Sequence, residues 1–309
     1  MTDNSKNKAP KLQIAVPVFN KAAAIRIAGP ILEEIYRSNP SEIGILVSDN
    51  ASTDETQRAV REAMPSAKYL LQDSNVGIEL NMRHLLSSSD SEFIWFLGAG
   101  DLPKGDIGGL LHTLENADKN VALFFSDGSA LEGLSPSICG VIWRTRELRT
   151  AVLEKARYDN SLPQLRNGWL GDMWPHVSYS YNIQRRGLAV LKIAGLEFTG
   201  HSDSQEWHDK SRMYPFAINL LKTVQRFAEE TEALVKRKDL VIARQTLATW
   251  YSQDVFSCKV ENRWKEIADL FSRISPFDLT FRQGVNLMIA QFTPRFFLKW
   301  RMSRKLTQL

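Results

Sequence analysis

The chain has 309 residues, 43% of them hydrophobic and 24% charged, which is an ordinary globular composition for one large domain or two unequal ones. The net charge of +4 is concentrated in residues 277–309, which carry six basic residues and one acidic residue. The remaining chain is close to neutral and gives no reason to expect a nucleic acid partner. The two cysteines, Cys139 and Cys258, have neither metal-site spacing nor a disulfide framework, which fits a reducing cytoplasm.

The first part of the chain alternates predicted strands with predicted helices. Residues 1–11 are polar, are predicted to be disordered and lack the apolar core of a signal peptide. No run reaches the roughly 18 apolar residues of a transmembrane helix. The predicted strands are Leu12–Val16, Ile43–Val47, Lys68–Leu71, Phe93–Leu97, Val121–Phe125 and Cys139–Trp143. The alternation predicts an α/β fold with a mostly parallel sheet and right-handed crossovers.

The strand Phe93–Leu97 runs directly into three small residues, Gly98, Ala99 and Gly100, and then into Asp101. Ligands of open α/β sheets bind just beyond the carboxyl ends of such strands. Small residues let a bulky ligand approach the backbone, and Asp101 is the first charge after the strand. We predict that Asp101 faces a metal-bound diphosphate, with a simple turn and a capping Asp as the alternative.

The segment after the second strand contains three acidic residues that receive different predictions. Ser52 and Glu55 have the spacing of a capping box, which predicts a helix from about Thr53. Asp54 would then favour the helix dipole, and we assign it a mostly structural role. Asp49 precedes the cap at the strand end, where a carboxylate can accept a hydrogen bond from a base or a sugar hydroxyl.

Proline, asparagine and glycine follow the first and third predicted strands. Pro17 is expected to stop the first strand, and the helix Ala22–Ser38 follows, with Pro30 starting a new turn or kinking it. Asn75 is predicted to cap the next helix, while Gly77 would let a ligand come close. Later helices are predicted at about Ile107–Ala117 and Arg144–Arg157.

Four segments at successive strand ends now form one pattern. They are Val16–Asn20, Ser48–Asp54, Asn75–Gly77 and Gly98–Asp101. In this order the chain resembles a family 2 glycosyltransferase with the GT-A fold. The resemblance implies that the nucleotide of a sugar nucleotide is bound by Pro17, Phe19, Asn20, Asp49, Asn75, Gly77 and Gly100.

The fourth segment corresponds to the family's Asp-x-Asp element, which binds diphosphate through Mg²⁺ or Mn²⁺. Its first acidic position is Ala99 here, or Gly100 in another register, so Asp101 alone remains. One carboxylate with waters can hold a hard cation when the diphosphate supplies further oxygens. Some GT-A enzymes take a late His as a metal ligand, which makes His201 the candidate second ligand, with an exposed loop residue as the alternative. Because the first acidic residue of the family element is missing, the alternative function is a non-catalytic module that binds a nucleotide sugar or a carbohydrate.

The stretch Gly168–His176 packs two Trp, two Gly, one Asp and one His into nine residues. Trp faces stack on sugar rings, and Asp and His accept protons. The stretch resembles the subset that builds bacterial surface polysaccharide, including abequosyltransferase-like enzymes. It implies Asp172 as the first candidate for the catalytic base and His176 as the second, with a buried structural loop as the alternative.

The last third of the chain has two parts. Residues 211–276 carry three apolar stripes at helical spacing and are predicted to form a helical subdomain beside a GT-A domain at 12–210. Residues 277–309 interleave aromatic and basic residues, as in an amphipathic helix on anionic lipid. Packing against the domain or a second subunit is the alternative. The implied function is sugar transfer to a lipid-linked glycan of O-antigen or capsule, at the inner face of the cell membrane.

Overall fold

The computed structural model describes residues 9–125, 138–161, 176, 179–180, 182–183, 186–193 and 195–200. The chain divides at Gln205 and Glu206 into two units, and all of these residues lie in the first. The predictions for residues 1–8, the helical subdomain at 211–276, the tail at 277–309, Asp172 and His201 lie outside the described residues. The predicted domain boundaries therefore stay predictions.

The described residues alternate strands and helices along the chain. The strands are β1 (Leu12–Val18), β2 (Ile43–Asp49), β3 (Lys68–Leu71), β4 (Phe93–Phe96), β5 (Asp101–Gly105), β6 (Val121–Phe125), β7 (Val141–Arg144), β8 (Ala189–Lys192) and β9 (Leu196–Gly200). The helices are α1 (Ala22–Ser38), α2 (Thr56–Ala63), α3 (Ile78–Ser87), α4 (Ile107–Glu115) and α5 (Thr145–Ser161). None of the described helices has the length and apolarity to cross a bilayer.

Seven of the strands form one sheet in the order β3-β2-β1-β4-β7-β6-β8, and β5 pairs separately with β9. Strands β1 to β4 are mutually parallel, β7 is antiparallel to both of its neighbours, and β8 is parallel to β6. The predicted mostly parallel sheet flanked by helices is confirmed. The exception is β7, which enters between β4 and β6 in the opposite direction.

Hydrophobic residues cover both faces of the sheet, which is why its central strands are continuous apolar runs. On one face, residues such as Ile14 and Val16 of β1 pack with α1, α2 and α4. On the other face, Ala15 and the neighbouring Ile94 and Phe96 pack with α3 and α5. The result is a three-layer α/β/α arrangement in which the carboxyl ends of β1, β2 and β4 share one edge.

The prediction that Pro17 stops the first strand is wrong, because β1 continues to Val18 in register with β2. The carbonyl of Ala15 accepts from the Leu97 N–H on the β4 side, whereas that of Val18 accepts from Asn50 on the β2 side. Backbone groups of residues two apart in a strand point to the same neighbouring strand, so the nitrogen of Pro17 points to the β4 side, as Ala15 does. The pairing of β4 with β1 ends at Ala15. A proline is tolerated here since no partner strand requires its missing N–H.

Candidate functional site

The strand order reverses at β1, because β2 lies on one side of it and β4 on the other. Ligands of open α/β sheets bind in the crevice outside the carboxyl ends of the strands at such a switch point. The loop after β1 and the loop after β4 border this crevice, and the loop after β2 lies beside them. All four motif segments identified in the sequence therefore end at the same edge of the sheet or, for Asn75–Gly77, at the adjoining start of α3.

The loop after β1 presents one exposed aromatic ring and one strained polar residue. Phe19 is 39% exposed at the sheet edge. Asn20 has a left-handed φ of 51°, an uncommon conformation for a residue with a side chain. Its N–H donates to Ser52 Oγ at 2.8 Å, and its Oδ1 accepts from the Thr53 N–H at 2.8 Å. The Asn20 side chain therefore ties the β1 loop to the β2 loop.

Asp54 makes a second connection between these loops. Its carboxylate accepts from the Ala22 N–H at 3.2 Å, and from the N–H and hydroxyl of Thr56 at 3.0 and 2.5 Å. Burial alone would raise the pKa of Asp54, but the hydrogen bonds from Thr56 and Ala22 outweigh it and lower the pKa. The predicted structural role of Asp54 agrees with these contacts.

The capping-box prediction is wrong, because α2 begins at Thr56 rather than near Thr53. Ser52 does not cap the helix, since its hydroxyl accepts from Asn20 in the other loop. Glu55 occupies the N-cap position and makes no side-chain capping hydrogen bond. The contact across the two loops replaces the local capping interaction that the spacing predicts.

Asp49 is the last residue of β2 and is 1% exposed. Its Oδ1 accepts from the Ser52 N–H at 2.8 Å, and its Oδ2 accepts from the Tyr69 hydroxyl at 2.5 Å. Burial, and then the hydrogen bond to and charge of Asp49, raise the pKa of Tyr69. Sequence reasoning missed Tyr69, because the contact depends on the register that pairs Val47 with Tyr69 on one face.

The segment before α3 is held by an interlocked pair of asparagines. Asn50 Nδ2 donates to Asn75 Oδ1 at 2.8 Å, and Asn50 Oδ1 accepts from the Val76 N–H at 2.8 Å. Asn75 does not cap α3, contrary to the prediction, because Gly77 occupies the N-cap position. Gly77 has a φ of 83°, which requires a residue without a Cβ. Asn50 is a second residue that the sequence analysis missed.

Asp101 closes the turn that follows β4. Its Oδ2 accepts from the Gly98 N–H at 2.7 Å, and its own N–H donates to the Gly98 carbonyl at 2.9 Å. Burial raises the pKa of the Asp101 carboxyl, and hydrogen bonds from the Gly98 N–H and the Cys139 thiol offset this in part. A Cβ added at Gly98 would lie 2.9 Å from this carboxylate oxygen. The turn of the alternative prediction is thus seen in the structure. Its capping role for Asp101 is wrong, because Asp101 begins β5 and Asp106 caps α4.

The other predicted site residues have different surroundings. Pro17 is buried within β1, and Gly100 is half-buried in the β4 turn. His176 is 4% exposed and has an interaction within the protein. Within the described ranges, no group of three or more His, Cys, Asp or Glu side chains is arranged to hold a metal ion. Asp101 offers a hard oxygen ligand of the type that Mg²⁺ and Mn²⁺ prefer, so it fits one position of a site that phosphates complete.

The residues that border the crevice match a known protein family. Residues 13–145, which include all four motif segments, match the family model described as Glycosyl transferase family 2. No curated protein sequence matches the chain significantly. Over these residues the chain is similar to family 2 glycosyltransferases, and they include the loops that border the crevice.

Two solved structures share the fold at low sequence identity. The mannosyltransferase PcManGT from Pyrobaculum calidifontis, in complex with GDP-Man and Mn²⁺, has a TM-score of 0.56 and 15% identity, over 92% of this chain and 85% of that one. Residues 1–349 of TarS from S. aureus, in complex with UDP-GlcNAc, have a TM-score of 0.53 and 14% identity, over 87% of this chain and 82% of that one.

Proposed function

We propose that this protein transfers a sugar from a nucleoside diphosphate sugar to a hydroxyl group of a glycan acceptor. The observation that carries the proposal is the family match over residues 13–145, whose four motif segments border one crevice at the switch point of the sheet. The structural neighbours were solved with UDP-GlcNAc and with GDP-Man, which supports a nucleotide sugar as the donor class.

The donor nucleoside is assigned to the β1 and β2 side of the crevice. The exposed ring of Phe19 offers an apolar face on which a base can pack. Asn20 and Asp54 fix the loop that carries this ring, so the surface is formed before the donor arrives. Asp49 accepts from the Ser52 N–H of the β2 loop, and Asn75 reaches the same loop by accepting from Asn50. Gly77 lies next to this contact, because its N–H donates to Asn75.

The donor diphosphate is assigned to the turn after β4. Gly100 has no side chain and would let phosphate oxygens approach the backbone of this turn, and Asp101 would hold Mg²⁺ or Mn²⁺ together with those oxygens. Such a metal ion, when bound, offsets the negative charge of the leaving diphosphate. His201 is the proposed second ligand. The neighbour solved with Mn²⁺ supports this choice of metal.

Transfer to an alcohol requires a base that takes the proton of the acceptor hydroxyl. Asp172 is the proposed base, and the burial of His176 favours Asp172 over it. The acceptor is proposed to be a lipid-linked glycan of bacterial surface polysaccharide, O-antigen or capsule, as for abequosyltransferase-like enzymes. The basic aromatic segment 277–309 would then hold the cytoplasmic enzyme at the inner face of the cell membrane.

Turnover of nucleotide sugars tests the proposal. The full chain is incubated with UDP-, GDP- and other nucleoside diphosphate sugars, Mn²⁺ and lipid-linked glycan extracts, and release of nucleoside diphosphate is measured. We expect release with one donor class, abolished in Asp101→Ala and unchanged in Asp90→Ala, which removes an exposed carboxylate elsewhere. No release from any donor, together with no binding of any nucleoside diphosphate, would contradict it.

One observation favours a second candidate, a binding module without turnover. The first acidic position of the family's Asp-x-Asp element is Ala99 or Gly100 here, and the one carboxylate of the turn, Asp101, already closes the turn. A module of this kind would bind a nucleotide sugar tightly and release no diphosphate with any acceptor. The turnover assay and a parallel binding measurement distinguish the two candidates directly.

A further inference from the structure

A continuous chain of hydrogen bonds crosses the carboxyl ends of β3, β2 and the loop after β1. The Tyr69 hydroxyl donates to one oxygen of Asp49 at 2.5 Å, and the Ser52 N–H donates to the other at 2.8 Å. The Ser52 hydroxyl oxygen accepts from the Asn20 N–H at 2.8 Å. The chain begins on β3 and ends one residue from the exposed ring of Phe19.

The middle of this chain is a carboxylate that water scarcely reaches, since Asp49 is 1% exposed. Such a group depends on protein donors, and leaving it one donor short favours rearrangement of its neighbours. Tyr69 is suited to be a permanent donor, because burial and the charge of Asp49 raise the pKa of its phenol. The proton therefore stays on Tyr69 at neutral pH.

We infer that Tyr69 is a positioning residue for the donor site, which acts through Asp49 and Ser52 to hold the loop that presents Phe19. This inference rests on the proposed function, because that function assigns the ring of Phe19 to the nucleobase. Tyr69 itself belongs to β3 and is not required to touch the donor. Its effect is on how readily the loop adopts the binding conformation, and hence on donor affinity more than on the chemical step.

The first experiment measures the dissociation constants of UDP and GDP, with Mn²⁺, for the full chain by calorimetry. Tyr69→Phe removes only the hydroxyl, and we expect it to weaken the diphosphate that the wild type binds by about tenfold. In turnover, the donor KM should rise by a similar factor while kcat changes less than about twofold. Tyr36→Phe is the matched control, since Tyr36 packs against the core outside this chain of hydrogen bonds, and it should bind normally.

A double-mutant cycle separates positioning from a general loss of structure. If Tyr69 acts through the loop that carries Phe19, Tyr69→Phe should change affinity less than about twofold in a Phe19→Ala background. Independent losses that multiply would overturn the inference. Ser52→Ala, which cuts the chain nearer to Asn20, should reproduce the loss and the coupling, and it serves as the second variant if Tyr69→Phe fails to fold.

The outcomes distinguish the inference from the function on which it rests. If the wild type binds neither UDP nor GDP and releases no diphosphate from any donor, the proposed function fails and the inference fails with it. If the wild type binds a diphosphate and Tyr69→Phe binds it equally well, only the inference is overturned. A fall in kcat at unchanged KM would also overturn it.

Discussion

Two loops border the same crevice, yet they are stabilised in different ways. The loop after β1 is joined to the loop after β2 by side chains that both segments contribute, among them Asn20, Ser52 and Asp54. The turn after β4 is closed by one backbone hydrogen bond, from the Asp101 N–H to the Gly98 carbonyl, and by the Asp101 carboxylate on the Gly98 N–H. The first arrangement distributes its stability over many contacts, whereas the second depends on a group that also has a proposed chemical role.

The comparison implies that single substitutions have unequal effects at the two sides of the crevice. In the β1 and β2 loops, each side chain is one of several that hold the surface, so its removal should weaken donor binding in part. In the β4 turn, removing the Asp101 carboxylate withdraws a hydrogen bond that closes the turn and the negative charge together. Four experiments, from the largest expected effect to the smallest, test this difference.

The largest effect is expected for Asp101. Both Asp101→Ala and Asp101→Asn should lower nucleoside diphosphate release by about 100-fold or more, because each removes the negative charge proposed to hold the metal. Asp101→Asn keeps an oxygen that accepts from the Gly98 N–H and should retain the thermal stability that Asp101→Ala loses. Nearly normal turnover by Asp101→Asn would show that only closure of the turn matters.

Asn20 is expected to show the largest effect on stability among the side chains of the β1 loop. Asn20→Ala loses the acceptor of the Thr53 N–H and places an alanine at a φ of 51°, so unfolding free energy should fall by about 2 kcal/mol. Asn20→Gly loses the acceptor without the backbone strain, and the fall should be about 1 kcal/mol. Denaturant unfolding measures both. Equal losses would mean that the conformation at Asn20 carries no strain.

The contribution of Asp54 should depend on pH. The folded protein holds its pKa below the usual value near 3.8, so its stabilisation is fully present above that value and is lost as the pH falls through the lower folded pKa. The difference in unfolding free energy between the wild type and Asp54→Asn should therefore be constant from pH 7 to 5 and shrink below about pH 4. A difference that grows on acidification would contradict the lowered pKa of Asp54.

The smallest effect is expected at Ala51, which has a left-handed φ of 62°. Ala51→Gly relieves that conformation but gives the unfolded chain more freedom, so stability should stay within about 0.5 kcal/mol of the wild type. The control is Ala23→Gly, at an exposed position of α1, which should destabilise by about 1 kcal/mol. Equal losses at the two positions would argue against strain at Ala51.

Much of the fold could be predicted from local patterns. The bounds of α1, β3 and β6 match their predictions, because each is a periodic or continuous apolar segment between clear breaks. Ends of elements were predicted less well. α2 begins at Thr56 since the hydroxyl of Ser52 bonds to another loop, and β1 continues through Pro17 since β4 does not extend so far.

The sequence indicated which residues lie at the candidate site, but not the hydrogen bonds that connect them. Strand-end motifs indicated Phe19, Asn20, Asp49 and Asp101, because parallel strands bring their carboxyl ends to one edge. Their partners Tyr69 and Asn50 were missed. Tyr69 meets Asp49 only through the pairing of β2 with β3, and Asn50 meets Asn75 across 25 residues of sequence. Neither contact leaves a signature in local spacing.

The early end of β4 has a consequence for how the protein avoids unwanted assembly. Beyond Ala15, the last three residues of β1 lack a neighbour on that side, which makes a short sheet edge inside the domain. Edges with free N–H groups recruit strands from other chains. The imide nitrogen of Pro17 has no hydrogen to offer, so this short edge is a poor template for a foreign β-segment.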